Sequence, residues 1–436
     1  MTESVESLCS RLIRFDTTNR GHGQGRGERD AAEFVADRLT DAGLKPQLFE
    51  RAPLRSNVIA RRSGAHSELA PLLVQMHLDV VPADPDEWTV PPFAGEIRDG
   101  YVWGRGAVDM KDLCAIILTV LARWETEGRG PRRDIVFAFV ADEEDQGHYG
   151  SHWLVDEHRE HFEGVEIAIG ESGGYTVPVR TDNGLVRLYP VGTAERGTAH
   201  LLLTATGRAG HGSRRNDDNA VVTLVDAISR LASHQWPVVL TPAVRAYLER
   251  VGGALGVEVR LGSDAEVDAT IARFGAAAKL VENTVRNSTR PTVLSAGYKV
   301  NVVPGVAQAQ VDTRVLPGTE EQLLADIDRL LGPRVRREFV ARQPPVQARV
   351  DSPWFDKMAD ALRAQDPDAV VVPYCMGGGT DAKAFSRLGI ECFGFSPLLL
   401  PEDFDYRAMA HGVDERVPVA GLRFGVDVLD RFLSHC

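Results

Sequence analysis

Short apolar runs alternate with amphipathic repeats along most of this chain, the rhythm of an α/β protein. Runs of buried-strand character fall at 72–76, 135–140 and 165–169. Helical periodicity covers 7–15, then 30–44, with Ala31, Phe34, Val35 and Leu39 on one face and Gly43 as the stop. A third helix is predicted over 112–124, with Leu113, Ile116, Ile117 and Val120 on one face. Residues 17–27, polar and rich in glycine, read as a loop.

The pattern changes after 199. A strand at 199–206, a helix at 217–231, strands at 292–296 and 307–315, a helix at 320–331 and a strand at 335–340 follow one another. That βαββαβ order is the split arrangement of a small, ferredoxin-like two-layer domain. A mostly helical stretch at about 236–290 interrupts it. Beyond 350 the mixed pattern returns, with a strand at 370–372, a helix at 382–388 and a strand at 391–395. The expected architecture is one α/β domain, residues 1–193 and 349–436, with a central mixed sheet flanked by helices. Residues 194–348 form the smaller inserted domain.

At 436 residues, two domains are the natural division. With 43% hydrophobic and 25% charged residues the composition is that of a soluble globular chain. No apolar run approaches the roughly 18 residues of a membrane span, and the N-terminal residues show no secretory pattern. The five cysteines (Cys9, Cys114, Cys375, Cys392, Cys436) are scattered, which fits thiols in a reducing cytoplasm. A formal net charge of −13 argues against a nucleic-acid partner. It leaves a small anionic substrate open, since a metal site can reverse the local field.

His77 and Asp79 close the run 72–76, two residues apart and so on one face of a strand. Such an aspartate can take the imidazole's second N–H and turn the other nitrogen toward a metal. Alone, the pair is more often a structural hydrogen bond. Gly104-Arg-Gly-Ala-Val-Asp-Met-Lys111 puts Asp109 in a loop before a helix, where an N-cap role is the alternative. Ala141-Asp-Glu-Glu-Asp145 follows the strand 135–140 directly. Acidic loops are usually solvated surface, but at the end of a buried strand they occupy the ligand-binding edge of an α/β sheet. Glu171 repeats the pattern after 165–169; His211 stands in Gly207-Arg-Ala-Gly-His-Gly-Ser213, and His411 in Ala410-His-Gly-Val-Asp-Glu-Arg416. Two histidines and several carboxylates, with no cysteine ligand, suit zinc, or alternatively cobalt or manganese. They exceed what one four-coordinate ion with an open position takes, and suit two ions sharing a bridging carboxylate.

The ordered set His77-x-Asp79, Asp109, Glu143-Glu144, Glu171, His211, Gly377-Gly-Gly-Thr-Asp381 and His411 resembles the M20 family of metallopeptidases, over about residues 7–432. That family includes carboxypeptidases, aminoacylases, acetylornithine deacetylase and succinyl-diaminopimelate desuccinylase. Gly170-Glu-Ser-Gly-Gly174 and His411-Gly-Val-Asp-Glu-Arg416 are most similar to the carboxypeptidase S and N-acyl-amino-acid hydrolase branch. Met76 stands where the family has glycine before the histidine, and Asp112 where glycine follows the lysine. The stretch 236–290 is longer than the family's lid.

The resemblance implies a zinc-peptidase-like catalytic domain with an inserted lid, and two divalent metal ions. One ion would take His77 and Glu171, the other Glu144 and His411, with Asp109 bridging. Asp79 would orient His77, Glu143 would be the general base, and His211 from the lid would meet the oxyanion. Arg314 and Asn301 would grip a substrate carboxylate, Arg314 through its planar fork; a surface pair of Arg314 with Asp312 is the alternative. Gly378, Gly379 and Thr380 would offer backbone N–H groups near the metals. The expected substrate is an N-acyl amino acid or short peptide, with no nucleic acid or membrane, and a homodimer through the lid as the family's assembly. A dipeptidase or aminopeptidase would use the same metal chemistry. A non-catalytic binding protein on this fold would have no need of Glu143 or of every ligand-type residue.

Overall fold

The computed structural model describes residues 3–182 and 184–436. Its larger sheet has ten strands. Four neighbours at the centre run parallel: Ile135–Val140, Leu72–His77, Ile167–Gly170 and Glu391–Gly394. The first two are buried at every position, because both faces are covered, and that is why they read as unbroken apolar runs. Leu72, Val74 and Met76 pack toward the helices Lys111–Glu127 and Val419–His435. Leu73 packs the other way, with Val136, Ala138, Leu154 and Phe385. The helix Lys111–Glu127 ends at Gly128, whose φ of 64° makes the left-handed cap.

The hairpin Gln47–Ala52/Arg55–Arg62 extends one edge, antiparallel. On the other side lies the long strand Gly184–Glu195, paired with Val177–Thr181, Val370–Met376 and Val346–Gln347. Neither the hairpin nor Gly184–Glu195 shows in the hydrophobic pattern. Both carry arginines, and Pro190 and Gly192 interrupt the second, so no apolar run marks them.

A separate sheet of four antiparallel strands is ordered Ser288–Ala296, Val306–Val315, Gly197–Thr206, Val335–Gln343. Numbered along the chain, that order is the reverse of 4-1-3-2, the split-βαβ topology expected from the element order. The helices Ala220–Ser233 and Glu320–Leu331 cover one face: Ala199, Leu201 and Leu203 pack with Leu224, Leu231, Leu323 and Ile327. The other face is open. The helix expected at 217–231 starts later because the Asn219 side chain caps it, accepting from the N–H groups of Val221 and Val222.

The stretch 236–290 is mostly helical, as expected; Trp236 packs with the small sheet and residues 288–290 belong to it, but the helices between them pack elsewhere. Its helices Pro242–Leu255 and Asp264–Ile271 close a core against the large one, in which Tyr247, Leu248 and Val251 meet Leu188, Val372 and Tyr374. The chain therefore leaves the small sheet after Trp236 and rejoins it at Ser288. No helix among the described residues is long and apolar enough to cross a membrane, and all five cysteines are unpaired and buried.

This packing has a measurable consequence. Leu248→Ala, fully buried in the shared core, should cost about 2–5 kcal/mol of stability, read from the denaturant midpoint of the large-sheet unit. A shift below about 0.5 kcal/mol, the range of surface substitutions, would contradict the placement of these helices.

Candidate metal centre and active site

Parallel strands that start in register also end together. Leu72 pairs with both Ile135 and Ile167, so His77, the acids after Val140 and Glu171 after Gly170 emerge at one edge. This is the edge where α/β sheets bind ligands. His77 Nδ1 lies 2.9 Å from the carbonyl oxygen of Asp79; Nδ1 therefore carries the proton, and Nε2 faces outward. Nε2 is 3.1 Å from Asp109 Oδ1, with Glu171 Oε1 at 3.9 Å and Glu143 Oε2 at 4.0 Å. The imidazole is thus oriented by the Asp79 backbone, whereas sequence assigns that task to its carboxylate, 3.7 Å away. The carboxylate is engaged elsewhere: it accepts from Asn19 Nδ2 and from the backbone N–H groups of Glu143 and Glu144. Asp79 aims the glutamate turn rather than the histidine.

The four acids of 142–145 divide by role. Asp142, in a left-handed conformation at φ 71°, is buried and accepts from Arg55, Asn19 and the N–H of Tyr149. Asp145 accepts from the N–H of His22. Glu143 and Glu144 alone face the cavity. Asp109 precedes the helix start at Met110 and caps nothing. Its second oxygen, Oδ2, meets His411 Nε2 at 3.1 Å, and Glu144 Oε2 meets the same nitrogen at 3.2 Å. One carboxylate thus stands between two histidines, with Glu171 on the His77 side and Glu144 on the His411 side. His411 reaches this position from a left-handed residue. Arg105 secures its loop, donating to the His411 carbonyl and pairing with the buried Glu415, which also accepts from the N–H of Val108.

The electrostatics are those of a site built for cations. Burial pushes up the carboxyls of Glu143 and Glu144, and that of Glu171 to about 8; their neighbours' negative charges add to the effect. Hydrogen bonds donated to Asp109 and Glu144 lift His411 to about 10. Burial opposes charge on His77, yet bonds to Asp109 and Glu171 hold it well above the ordinary histidine range. Burial likewise works against an ionised Asp109, but the two imidazoles keep its carboxyl well below the usual range. Glu144 Oε1 is buried with no hydrogen-bond partner. A nitrogen and oxygen donor set with an orphaned carboxylate oxygen fits divalent ions. Ligand atoms of His77, Asp109 and Glu144, and of His77, Glu143 and Glu171, converge within 4.8 Å of one another.

These groups line a cavity of about 430 Å³ whose far wall belongs to the small sheet. Arg314 reaches it from that wall while its Nε and Nη2 hold Asp312 at 2.7 and 3.1 Å, so the ion pair and the cavity position coexist. Gly378, Gly379 and Thr380 form part of the opposite side. Thr380 is committed, however: its N–H and hydroxyl both go to Glu195.

His211 and Asn301 are not brought to the cavity. His211 is exposed, its Nδ1 2.9 Å from Ser213 Oγ, and its strand pairs with Val302–Val303 beside Asn301. Both lie past Thr206 on the strand whose other end, at Thr198, lines the cavity. Eight residues of strand separate the two ends by about 26 Å. Sequence reasoning missed Asn19, Arg55, Arg105, Glu195, Glu415 and the cavity-lining His200. Of these, Arg105 and Glu415 sat inside motifs it singled out.

The comparisons agree with this geometry. Residues 73–435 match the model of peptidase family M20/M25/M40. The probable carboxypeptidase S-like 2 of Dictyostelium discoideum is 30% identical over 86% of this chain and 74% of its own length. Aminoacylase-1 of Sus scrofa is 29% identical over 93% and 89%, and the human N-fatty-acyl-amino acid synthase/hydrolase PM20D1 is 28% identical over 82% and 72%. Among solved structures, the M20 family metallo-carboxypeptidase Sso-CP2 from Sulfolobus solfataricus superposes with a TM-score of 0.73 at 17% identity, covering 99% of each chain. A metal-type donor cluster at the edge of this sheet, with a family match across most of the chain, leads to one conclusion: the protein belongs to peptidase family M20/M25/M40.

Proposed function

We propose that the protein hydrolyses the amide bond of an N-acyl amino acid, or of a short peptide, that carries a free carboxylate. The observation that carries this reading is the Asp109 carboxylate held between His77 and His411, with Glu143 beside it in a cavity walled by Arg314. His77 and Glu171 would hold one divalent ion, Glu144 and His411 a second, and Asp109 both; zinc suits the donors best, with cobalt or manganese as substitutes. When bound, the ions supply Lewis acidity, lowering the pKa of a water and polarising the amide carbonyl. Glu143 accepts the proton of the attacking water and returns it to the departing nitrogen. Its raised carboxyl pKa suits it to both halves of that exchange. Arg314 fixes the substrate's carboxylate, and Gly378 and Gly379 let its backbone approach closely. The aminoacylase and N-acyl-amino-acid hydrolase relatives support the substrate class, and the unpaired cysteines support a cytoplasmic setting.

His211 enters through a second copy of the chain. Its distance from its own cavity is set by the length of a strand, and the small sheet has the surface for a partner. Ser288–Ala296 is an edge strand with Val293 and Leu294 exposed, and the neighbouring helix exposes Val222 and Val225. A homodimer through this edge would carry His211 and Asn301 into the partner's site, closing it against water and supplying an oxyanion donor.

Three outcomes test the reading. In metal-free protein at pH 7, Glu171 and His411 hold protons, since their pKa values lie at about 8 and about 10. Metal loading should therefore release protons and tighten as pH rises toward that range; pH-independent loading without proton release would contradict the ligand set. Glu143→Gln should lower kcat by about 10²–10⁴-fold while metal content holds. Loss of metal with it would make Glu143 a ligand instead. Finally, mixing inactive Glu143→Gln with inactive His211→Ala should restore activity, because mixed dimers contain one intact site. No restoration from refolded mixtures would rule out the exchanged histidine.

A further inference from the structure

The open face of the small sheet forms one wall of the cavity, and strand register fixes what it presents. Thr198 pairs with Arg314 on one side and Gln343 on the other; one step along the same face, His200 pairs with Ala341. All five residues line the cavity. The register that sets Leu201 against Val311 and Thr198 against Arg314 sets His200 against Asp312. His200 Nε2 lies 3.5 Å from Asp312 Oδ1, and that nitrogen is buried with no hydrogen-bond partner.

Asp312 occupies the side edge of the Arg314 fork, through Nε and Nη2. The end edge, Nη1 with Nη2, carries one long contact, Nη1 to Thr198 Oγ1 at 3.5 Å, which a ligand can displace, and its geometry suits a carboxylate. Yet an Arg–Asp pair has no net charge, so its attraction for an anion is much weaker than that of a lone guanidinium. A second cation on this wall changes the balance. We propose that His200 is a specificity-determining residue that reads the substrate's free carboxylate together with Arg314, taking up a proton from solvent as the substrate binds. Nε2–H then donates to Asp312 and Nδ1–H to the incoming carboxylate. The imidazolium is flanked by two carboxylates, and Arg314 holds the second from its other side. The inference rests on the amidohydrolase reading and adds to it the group that separates acids from neutral analogues.

The surroundings of His200 suit this exchange. Its charged neighbours are Asp312 and Arg314 on one adjacent strand; the other contributes only Ala341, and the site carboxylates stand across the cavity. In the free protein burial holds His200 below its ordinary range, Asp312 works to raise it, and Arg314 opposes. The ring is neutral at pH 7, ready to accept the proton that a bound carboxylate would stabilise.

Calorimetric binding to metal-loaded Glu143→Gln protein, which holds substrates uncut, reads the proposal directly. The ligands are N-acetyl amino acids and their carboxamides. The acids should bind more tightly, and their advantage should shrink as pH rises through the histidine range, about 5 to 8. Comparing the two ligands at each pH cancels titration of the metal ligands. Adding His200→Gln should cut the advantage about ten-fold, the size of one hydrogen bond to a charged group, and flatten its pH dependence. An advantage unchanged by His200→Gln, or no advantage at all in the His200 protein, would overturn the proposal. Hydrolysis by protein with Glu143 intact is scored separately. Absence of cleavage alongside a His200-dependent preference would sink the amidohydrolase reading and leave the His200 assignment standing.

Discussion

Asp109, Glu143, Glu144 and Glu171 share the end of a buried sheet, and among the described residues their ion-pair partners are two imidazoles. The other buried acids nearby are treated differently. Glu28 and Asp142 are both paired with Arg55, and Glu415 with Arg105. A carboxylate withdrawn from water needs a partner. Arginine supplies it for Glu28, Asp142 and Glu415, and amide N–H groups supply it for Asp79; among the described residues no arginine pairs with the four carboxylates that gather at the cavity. The raised pKa values of Glu171 and His411 follow from that choice, since protons gather where positive charge is lacking. The same deficit would favour divalent ions at the site.

The fold creates this arrangement economically. Strands in parallel register deliver His77, the Glu143–Glu144 turn and Glu171 to one edge, and buried polar contacts behind them set the angles. Asp79 ties the glutamate turn to the histidine strand, while Arg105 and Glu415 tie the His411 loop to the one that carries Asp109. The small sheet then supplies a wall of opposite character, made of donors. Glu195 anchors the glycine loop at Thr380 immediately before the chain crosses into that sheet, so the loop is tied to the crossing.

Much of the site was legible in the sequence because its ligands stand where apolar strands stop. His77, Glu143, Glu144 and Glu171 each follow a buried run, and buried parallel strands are the easiest elements to read. His411 and Asp109 lacked that signal; both were picked out as ligand-type residues in loop motifs, and resemblance to a family supplied their roles. The strands Gln47–Ala52 and Gly184–Glu195 were missed because their polar and proline positions hide the period. The helices between 242 and 271 were read correctly as helices, but their amphipathic faces do not say which sheet will cover them. His200 escaped notice because it owes its position to cross-strand register with Asp312, more than a hundred residues away. The hold of Asp79 on the glutamate turn was not legible, because strand periodicity fixes the face on which a side chain lies and not the distant backbone N–H groups from which it accepts.

A two-ion site here requires Asp109 as the shared carboxylate. Anomalous scattering from crystals of zinc-loaded protein tests this directly. Two peaks about 3.5–4 Å apart should flank Asp109, one within coordination distance of His77 and Glu171, the other of His411 and Glu144. A single fully occupied ion, or a second ion away from Asp109, would contradict it.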